Sequence, residues 1–231
     1  RDQRSANILA SPRGVTVAPD LAWLFPFNPE PPLRRELDAV VNLRPWPTLH
    51  PNTGHLRSLV SSQFADAFPW PLCFGKDSDS AISAEVAGTI SHSQSFDPSL
   101  VARTRFALVS RFHAIIFAIQ AGTPFVALDN TKKNIFLLEQ IGLPWARISP
   151  DSSQHLFGET VARAFRELTL DKLRDISADQ QRKAQYAAQT FKEDIEQLAL
   201  TNRRQRARLT FRFRRKVRSY VADSMRSIAT Y

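Results

Sequence analysis

The sequence predicts an α/β protein built on a parallel, Rossmann-like sheet with flanking helices. Its 231 residues are 43% hydrophobic and 23% charged, the composition of an ordinary globular protein that can bury a sizeable core. Beyond a proline-rich segment, short apolar runs alternate with segments of helical periodicity. Strands that alternate with helices form βαβ units, and their right-handed connections place ligands at the carboxyl ends of the strands.

The beginning of the chain is predicted to belong to a domain that is incomplete here. Residues 1–10 read as a short helix and residues 15–17 as a short strand, and the chain begins at Arg1 rather than at methionine. Residues 26–33 hold four prolines in eight positions, which excludes a helix or a central strand and indicates a linker. We therefore expect three parts: residues 1–33 as the end of a truncated N-terminal domain with its linker, residues 34–170 as a Rossmann-like domain carrying the site, and residues 171–231 as C-terminal helices with a basic tail.

After the linker, strands and helices are predicted in alternation. The predicted strands are apolar runs at residues 38–43, 71–74, 106–110 and 124–128. The predicted helices carry apolar residues at helical spacing and cover residues 55–68, 81–87, 113–121, 133–141 and 156–167. Gly122 is the stop signal of the third helix. Ser177 and Gln180 form a capping box, which predicts a long helix opening there with Ala184, Ala188, Phe191, Ile195 and Leu198 on one face.

The positive charge is local. The formal net charge is +9, and residues 203–218 alone hold nine arginines and lysines and no acid. The rest of the chain is therefore close to neutral, which argues against a general nucleic-acid-binding protein. Leu209, Phe211 and Phe213 alternate with polar residues, as in an edge strand. If the stretch is helical, it is either a solvated face or a surface for peripheral contact with anionic lipid.

Cysteine content and hydropathy give the expected cellular compartment. The only cysteine, Cys73, excludes an intramolecular disulfide and a multi-cysteine metal site. The longest apolar stretch, residues 114–128, is interrupted by polar residues, glycine and proline, so it is too broken to span a bilayer, and no signal peptide is visible. We expect a cytoplasmic protein, peripheral at a membrane if residues 203–218 bind lipid, and a secretory setting stays open.

The residue pair with the clearest chemistry is Arg111 and His113, where a buried strand turns into a helix. The start of a helix favours an anion, a guanidinium matches a carboxylate or phosphate, and an imidazole exchanges protons near neutral pH. The pair thus describes a site for an anionic substrate that needs a proton moved. The alternative is structural: Arg111 caps a neighbouring element, and His113 is a half-buried histidine whose hydrogen bonds are satisfied within the protein.

Four segments around this turn resemble the polysaccharide pyruvyl transferase family. They are residues 110–118, 121–128, 130–133 and 137–143, and weaker likeness extends to residues 1–5, 19–22 and 41–45. The order along residues 1–145 is that of the family. Two places differ: Arg105 stands where members carry aspartate, and Asp129-Asn130 replaces a Ser-Asn pair.

The resemblance implies one half of a GT-B-like two-domain transferase, inactive without its N-terminal half. It would move a pyruvyl group from phosphoenolpyruvate to a sugar or lipid-linked glycan and form a ketal, with no metal and no cofactor. Within the matched motifs, His113 becomes the expected general acid or base. The expected substrate-binding residues are Arg111, Arg44, Lys133, Phe112 and Asn130.

Two other functions stay open. The first is a glycosyltransferase of the same architecture, in which Arg111 and Lys133 hold the diphosphate of a nucleotide sugar. The second is a non-catalytic module that binds membrane or nucleic acid through residues 203–218.

Overall fold

The computed structural model describes residues 18–25, 27, 35–47, 49–74, 78–89, 97–129 and 131–201. The chain divides into two compact units, Phe25–Asp179 and a second that combines Arg1–Leu24 with Gln180–Tyr231. The predicted helix at residues 1–10, the strand at 15–17, the linker at 26–33 apart from Phe27, and the basic stretch at 203–218 lie outside the described residues.

The first unit is built on a parallel sheet. The described residues form five strands, all paired in parallel in the order β2-β1-β3-β4-β5. The strands are β1 Leu37–Asn42, β2 Ala67–Pro69, β3 Thr104–Val109, β4 Phe125–Leu128 and β5 Arg147–Ile148. In register, Val41 lies opposite Leu108 on one side and Pro69 on the other. The predicted Rossmann-like parallel α/β class is confirmed.

Helices connect the strands and flank the sheet. They are α1 Thr53–Gln63, α2 Ser80–Ala87, α3 Pro98–Ala102, α4 Phe112–Gln120, α5 Lys132–Gln140, α6 Gln154–Glu167 and α7 Leu170–Thr201. Short 3₁₀ turns cover Leu21–Leu24 and His50–Asn52. Strand β4 is buried along its whole length, and β3 is buried except at Arg105. Burial on both faces explains why these strands read as nearly continuous apolar runs.

Aromatic contacts show how the helices pack on β3 and around α4. Phe106 of β3 stacks on Phe64 with ring centroids 4.8 Å apart, and it meets Phe165 of α6 at 5.7 Å. Helix α4 is buried throughout residues 114–119. The ring of its Phe117 contacts Phe25 at 5.7 Å and Phe27 at 5.6 Å. A helix that is apolar all round needs such a cover in addition to the sheet.

The prediction for residues 55–74 is partly wrong. Helix α1 ends at Gln63, and Phe64 is extended with φ −132° and ψ 131°. The strand expected at residues 71–74 is instead β2, at Ala67–Pro69. Phe64 and Ala67 continue the helical spacing in the sequence, but Phe64 turns its ring onto Phe106 of the sheet. A tertiary contact therefore overrides the local period.

The predicted capping box at Ser177 and Gln180 is also wrong. Helix α7 begins at Leu170, where the side chain of Thr169 accepts a hydrogen bond from the backbone N–H of Lys172 at 3.3 Å. Both Ser177 and Gln180 are buried inside the helix, so neither starts it. Ala184 is buried as expected, but Phe191 is 54% exposed and does not lie on a buried face.

A left-handed glycine ends α4, as the sequence predicts. Gly122 has φ 65°, and its carbonyl accepts from Arg35 Nη2 at 2.5 Å. The other terminal nitrogen of Arg35 donates to the carbonyl of Thr104 at 2.5 Å and to the hydroxyl of Thr123 at 2.7 Å. Burial lowers the pKa of Arg35. This arginine thus fastens the start of β3 to the turn that leads into β4.

Candidate functional site

The carboxyl ends of β1 and β3 form the topological switch point of the sheet. From β1 the chain moves outward to β2, and from β2 it crosses back to β3 on the other side of β1. The connections that follow β1 and β3 therefore leave in opposite directions and open a crevice between them. Arg44 follows β1 by two residues, and Arg111 follows β3 by two residues.

Reciprocal hydrogen bonds join these two connections. The Ser110 hydroxyl accepts from the backbone N–H of Arg44 at 2.6 Å, and the Asn42 side-chain oxygen accepts from the backbone N–H of Arg111 at 3.3 Å. The backbone N–H of Ser110 also donates to the Asn42 carbonyl at 2.8 Å. Asn42 and Ser110 are both buried. The backbones of the two arginines are therefore held side by side at the switch point.

The guanidinium of Arg111 pairs with the buried carboxylate of Asp79. Arg111 Nε lies 2.6 Å from Oδ2 and 2.8 Å from Oδ1 of Asp79, and Arg111 Nη2 also donates to Oδ1. The side chain of Asp79 is 0% exposed and that of Arg111 is 19% exposed. Asp79 Oδ2 accepts in addition from the backbone N–H groups of Leu72 and Cys73 at 3.0 and 3.1 Å, and from Asn42 Nδ2 at 3.2 Å. The Nε–Nη2 edge of Arg111 thus faces the protein interior.

Arg44 presents its guanidinium at the surface. The residue is exposed, and its guanidinium carbon lies 4.5 Å from the centroid of the Trp46 ring. Such a cation–π contact at an exposed site contributes about 0.5–1 kcal/mol. With its backbone fixed by Ser110 and its side chain placed against Trp46, Arg44 offers planar donors to an anion.

His113 lies in the first turn of α4. Arg111 occupies the N-cap position with extended backbone angles, and the helix begins at Phe112. His113 is exposed, whereas Phe112 is half-buried with its ring centroid 5.6 Å from that of the imidazole. The predicted proton-transfer residue therefore has access to solvent at the same edge of the sheet as both arginines.

Lys133 lies on the next connection along this edge. The side chain of Thr131 caps α5 by accepting from the backbone N–H of Asn134 at 3.3 Å, and Lys132 and Lys133 are exposed in its first turn. Asn134 Nδ2 donates to the Ser110 carbonyl at 2.7 Å, which ties this turn to the switch point. The predicted residue Asn130 lies outside the described residues.

The sequence did not reveal Asp79 as part of the site. Asp79 stands at the N-cap of α2, where aspartate is common for capping alone, and its side chain makes no such capping bond here. Its partner Arg111 is 32 positions further along the chain. No local pattern reports a pairing over that distance.

Within residues 18–201, apart from the gaps given above, no three His, Cys, Asp or Glu side chains are grouped as metal ligands. The helices of the same described part lack the combined length and apolarity needed to cross a membrane.

Comparisons with protein-family models, curated proteins and solved structures returned no match. Fold and site define an α/β protein of Rossmann-like class with arginines at the carboxyl edge of its sheet.

Proposed function

We propose that this chain binds phosphoenolpyruvate between the carboxyl ends of β1 and β3 and supplies the donor site of a pyruvyl transferase that acts on a sugar. The observation that supports this proposal is the pair of reciprocal hydrogen bonds that holds Arg44 and Arg111 at adjoining strand ends. In the proposed enzyme, this unit is one half of a GT-B-like pair of domains.

The charge of the donor fits this edge. Phosphoenolpyruvate carries a carboxylate beside a phosphate, and such groups prefer bidentate arginine and helix N-termini. Asp79 offsets the charge of Arg111. The remaining positive charge on the described part of the edge comes from exposed Arg44, Lys132 and Lys133. Arg44 is therefore assigned the principal contact with the phosphate or carboxylate, and Lys133 a second contact.

His113 is assigned the proton transfer. The enol carbon of the donor takes up a proton, which makes the neighbouring carbon electrophilic. One sugar hydroxyl adds to that carbon and gives up its proton, the bond to inorganic phosphate then breaks, and the second hydroxyl adds with loss of its proton to close the ketal. An exposed imidazole in the first turn of α4 can deliver the first proton or accept one from a hydroxyl. Arg111 is the N-cap of the same helix. The proposed proton-transfer residue and an anion-binding arginine therefore belong to one connection, between β3 and α4.

Calorimetric titration of this chain with phosphoenolpyruvate tests the proposal. A charge-assisted hydrogen bond contributes about 1.5–3 kcal/mol, so Arg44→Ala should weaken binding by about 10- to 150-fold. Arg105→Ala is the matched control. It removes the guanidinium of a side chain that is 61% exposed and that pairs with Asp38, away from the switch point. Equal affinities of the two variants would contradict the proposal. Tight binding of a nucleotide sugar that phosphoenolpyruvate does not displace would favour the glycosyltransferase instead.

A further inference from the structure

We propose that Asp79 is the positioning residue of this anion site: its buried carboxylate fixes the plane of the Arg111 guanidinium before any ligand arrives. This inference rests on the proposed function, which assigns Arg111 to the donor site. Asp79 itself touches no substrate in this scheme. It acts through the arginine.

The geometry of the pair sets the orientation of the arginine. Two adjacent nitrogens, Nε and Nη2, donate to the two oxygens of one carboxylate. Pairing through two nitrogens fixes both the position and the plane of the guanidinium, whereas a single hydrogen bond would leave it free to rotate. The Arg111 side chain as a whole is 19% exposed, so part of this oriented side chain still reaches the surface.

Asp79 is in turn held from several directions. Its Oδ2 accepts from the backbone of Leu72 and Cys73, which follow β2, and from the side chain of Asn42, which ends β1. The carboxylate therefore joins the connections after β1, β2 and β3 at one buried point. Because Asp79 is fixed, the Arg111 side chain that pairs with it loses little rotamer freedom when a ligand binds. Such preorganisation raises affinity.

Asp79→Asn is the test variant, because it keeps the shape of the side chain and removes its charge and one acceptor oxygen. We expect the affinity for phosphoenolpyruvate to fall about three- to tenfold, the loss that accompanies renewed freedom of one long side chain. Ser83→Ala is the matched control. It removes a buried hydroxyl of α2 that accepts from the backbone N–H of Leu43 at 2.9 Å, near the same edge, and leaves the ion pair in place.

A second readout needs no ligand, and its first measurement is made on the wild-type chain. The Nε proton of Arg111 is bonded to a fully buried carboxylate, so its exchange with solvent, followed by ¹⁵N NMR, should be slow. The Nε proton of exposed Arg44 is the internal reference and should exchange rapidly. In Asp79→Asn the Arg111 proton should approach the Arg44 rate, while Ser83→Ala should leave it protected.

The outcomes separate the two proposals. If the wild-type chain does not bind phosphoenolpyruvate, the proposed function fails. If the wild-type chain binds it and Asp79→Asn binds equally well, the positioning role is overturned. Rapid exchange of the Arg111 proton in the wild-type chain overturns that role as well, and this measurement stands even if Asp79→Asn does not fold.

Discussion

Substitution of Gly122 by alanine tests how the turn between α4 and β4 is packed. Gly122 has φ 65°, and a Cβ added there would lie 2.2 Å from Cδ1 of Leu170. A left-handed residue with a Cβ costs about 1–2 kcal/mol. Forcing an extra carbon into occupied space costs typically 1–3 kcal/mol. Because Leu170 is half-buried and its methyl group can rotate away, the second cost lies near its lower bound. Gly122→Ala should thus lower the free energy of unfolding by about 2–3 kcal/mol.

Gly142→Ala is the matched control for this experiment. Gly142 has φ 74° and also follows a helix, but nothing lies within 4 Å of a Cβ added there. Gly142→Ala should therefore lower the free energy of unfolding only by the backbone cost of about 1–2 kcal/mol. Urea unfolding followed by circular dichroism and tryptophan fluorescence measures both variants. In a Leu170→Ala background the effect of Gly122→Ala should fall to that of Gly142→Ala. Equal losses for the two single variants would refute the packing explanation.

Three further predictions concern ionisable side chains. Arg111→Ala should lower the free energy of unfolding by about 3–5 kcal/mol, because it leaves the buried carboxylate of Asp79 without its cationic partner. Arg105→Ala, which breaks an exposed pair, should cost at most about 1 kcal/mol, and similar urea midpoints would contradict this contrast. The hydrogen bond from the Ser149 hydroxyl is the main cause that lowers the pKa of Asp151. In an NMR titration Ser149→Ala should therefore raise that pKa. The stabilisation from this contact is present above the ordinary aspartate pKa and is lost as the pH falls through the lowered one. In the active transferase His113→Ala should slow phosphate release from phosphoenolpyruvate at least about 100-fold; an unchanged rate would reject its assigned role.

Much of the sheet was predictable because its central strands are buried on both faces. Strands β3 and β4 are apolar runs of strand length, and Gly122 marks the end of the helix between them. Sequence periodicity and glycine placement report such features directly. The position of Arg111 and His113 at the turn from β3 to α4 follows from the same signals.

The missed elements depend on contacts between distant residues or on signals that are very short. Strand β5 has two residues, too few for a periodic pattern. Helix α3 has five residues, and its signal was the capping Asp97, which accepts from the backbone N–H of Ser99 at 2.8 Å. The end of α1 was misplaced because the ring of Phe64 packs on a strand more than 40 positions away. The Asp79–Arg111 pair was missed for the same reason of sequence distance.

The aromatic cover on α4 bears on how the sheet-bearing unit can be isolated. Phe25 and Phe27 rest on Phe117, and Phe27 is only 7% exposed. These rings precede residue 34, where the sequence had suggested that the Rossmann-like domain begins. A shortened protein starting there would expose the ring of Phe117, within the apolar run at residues 114–119, to water. Such a protein would tend to precipitate, whereas one retaining Phe25 would keep its helix shielded from water.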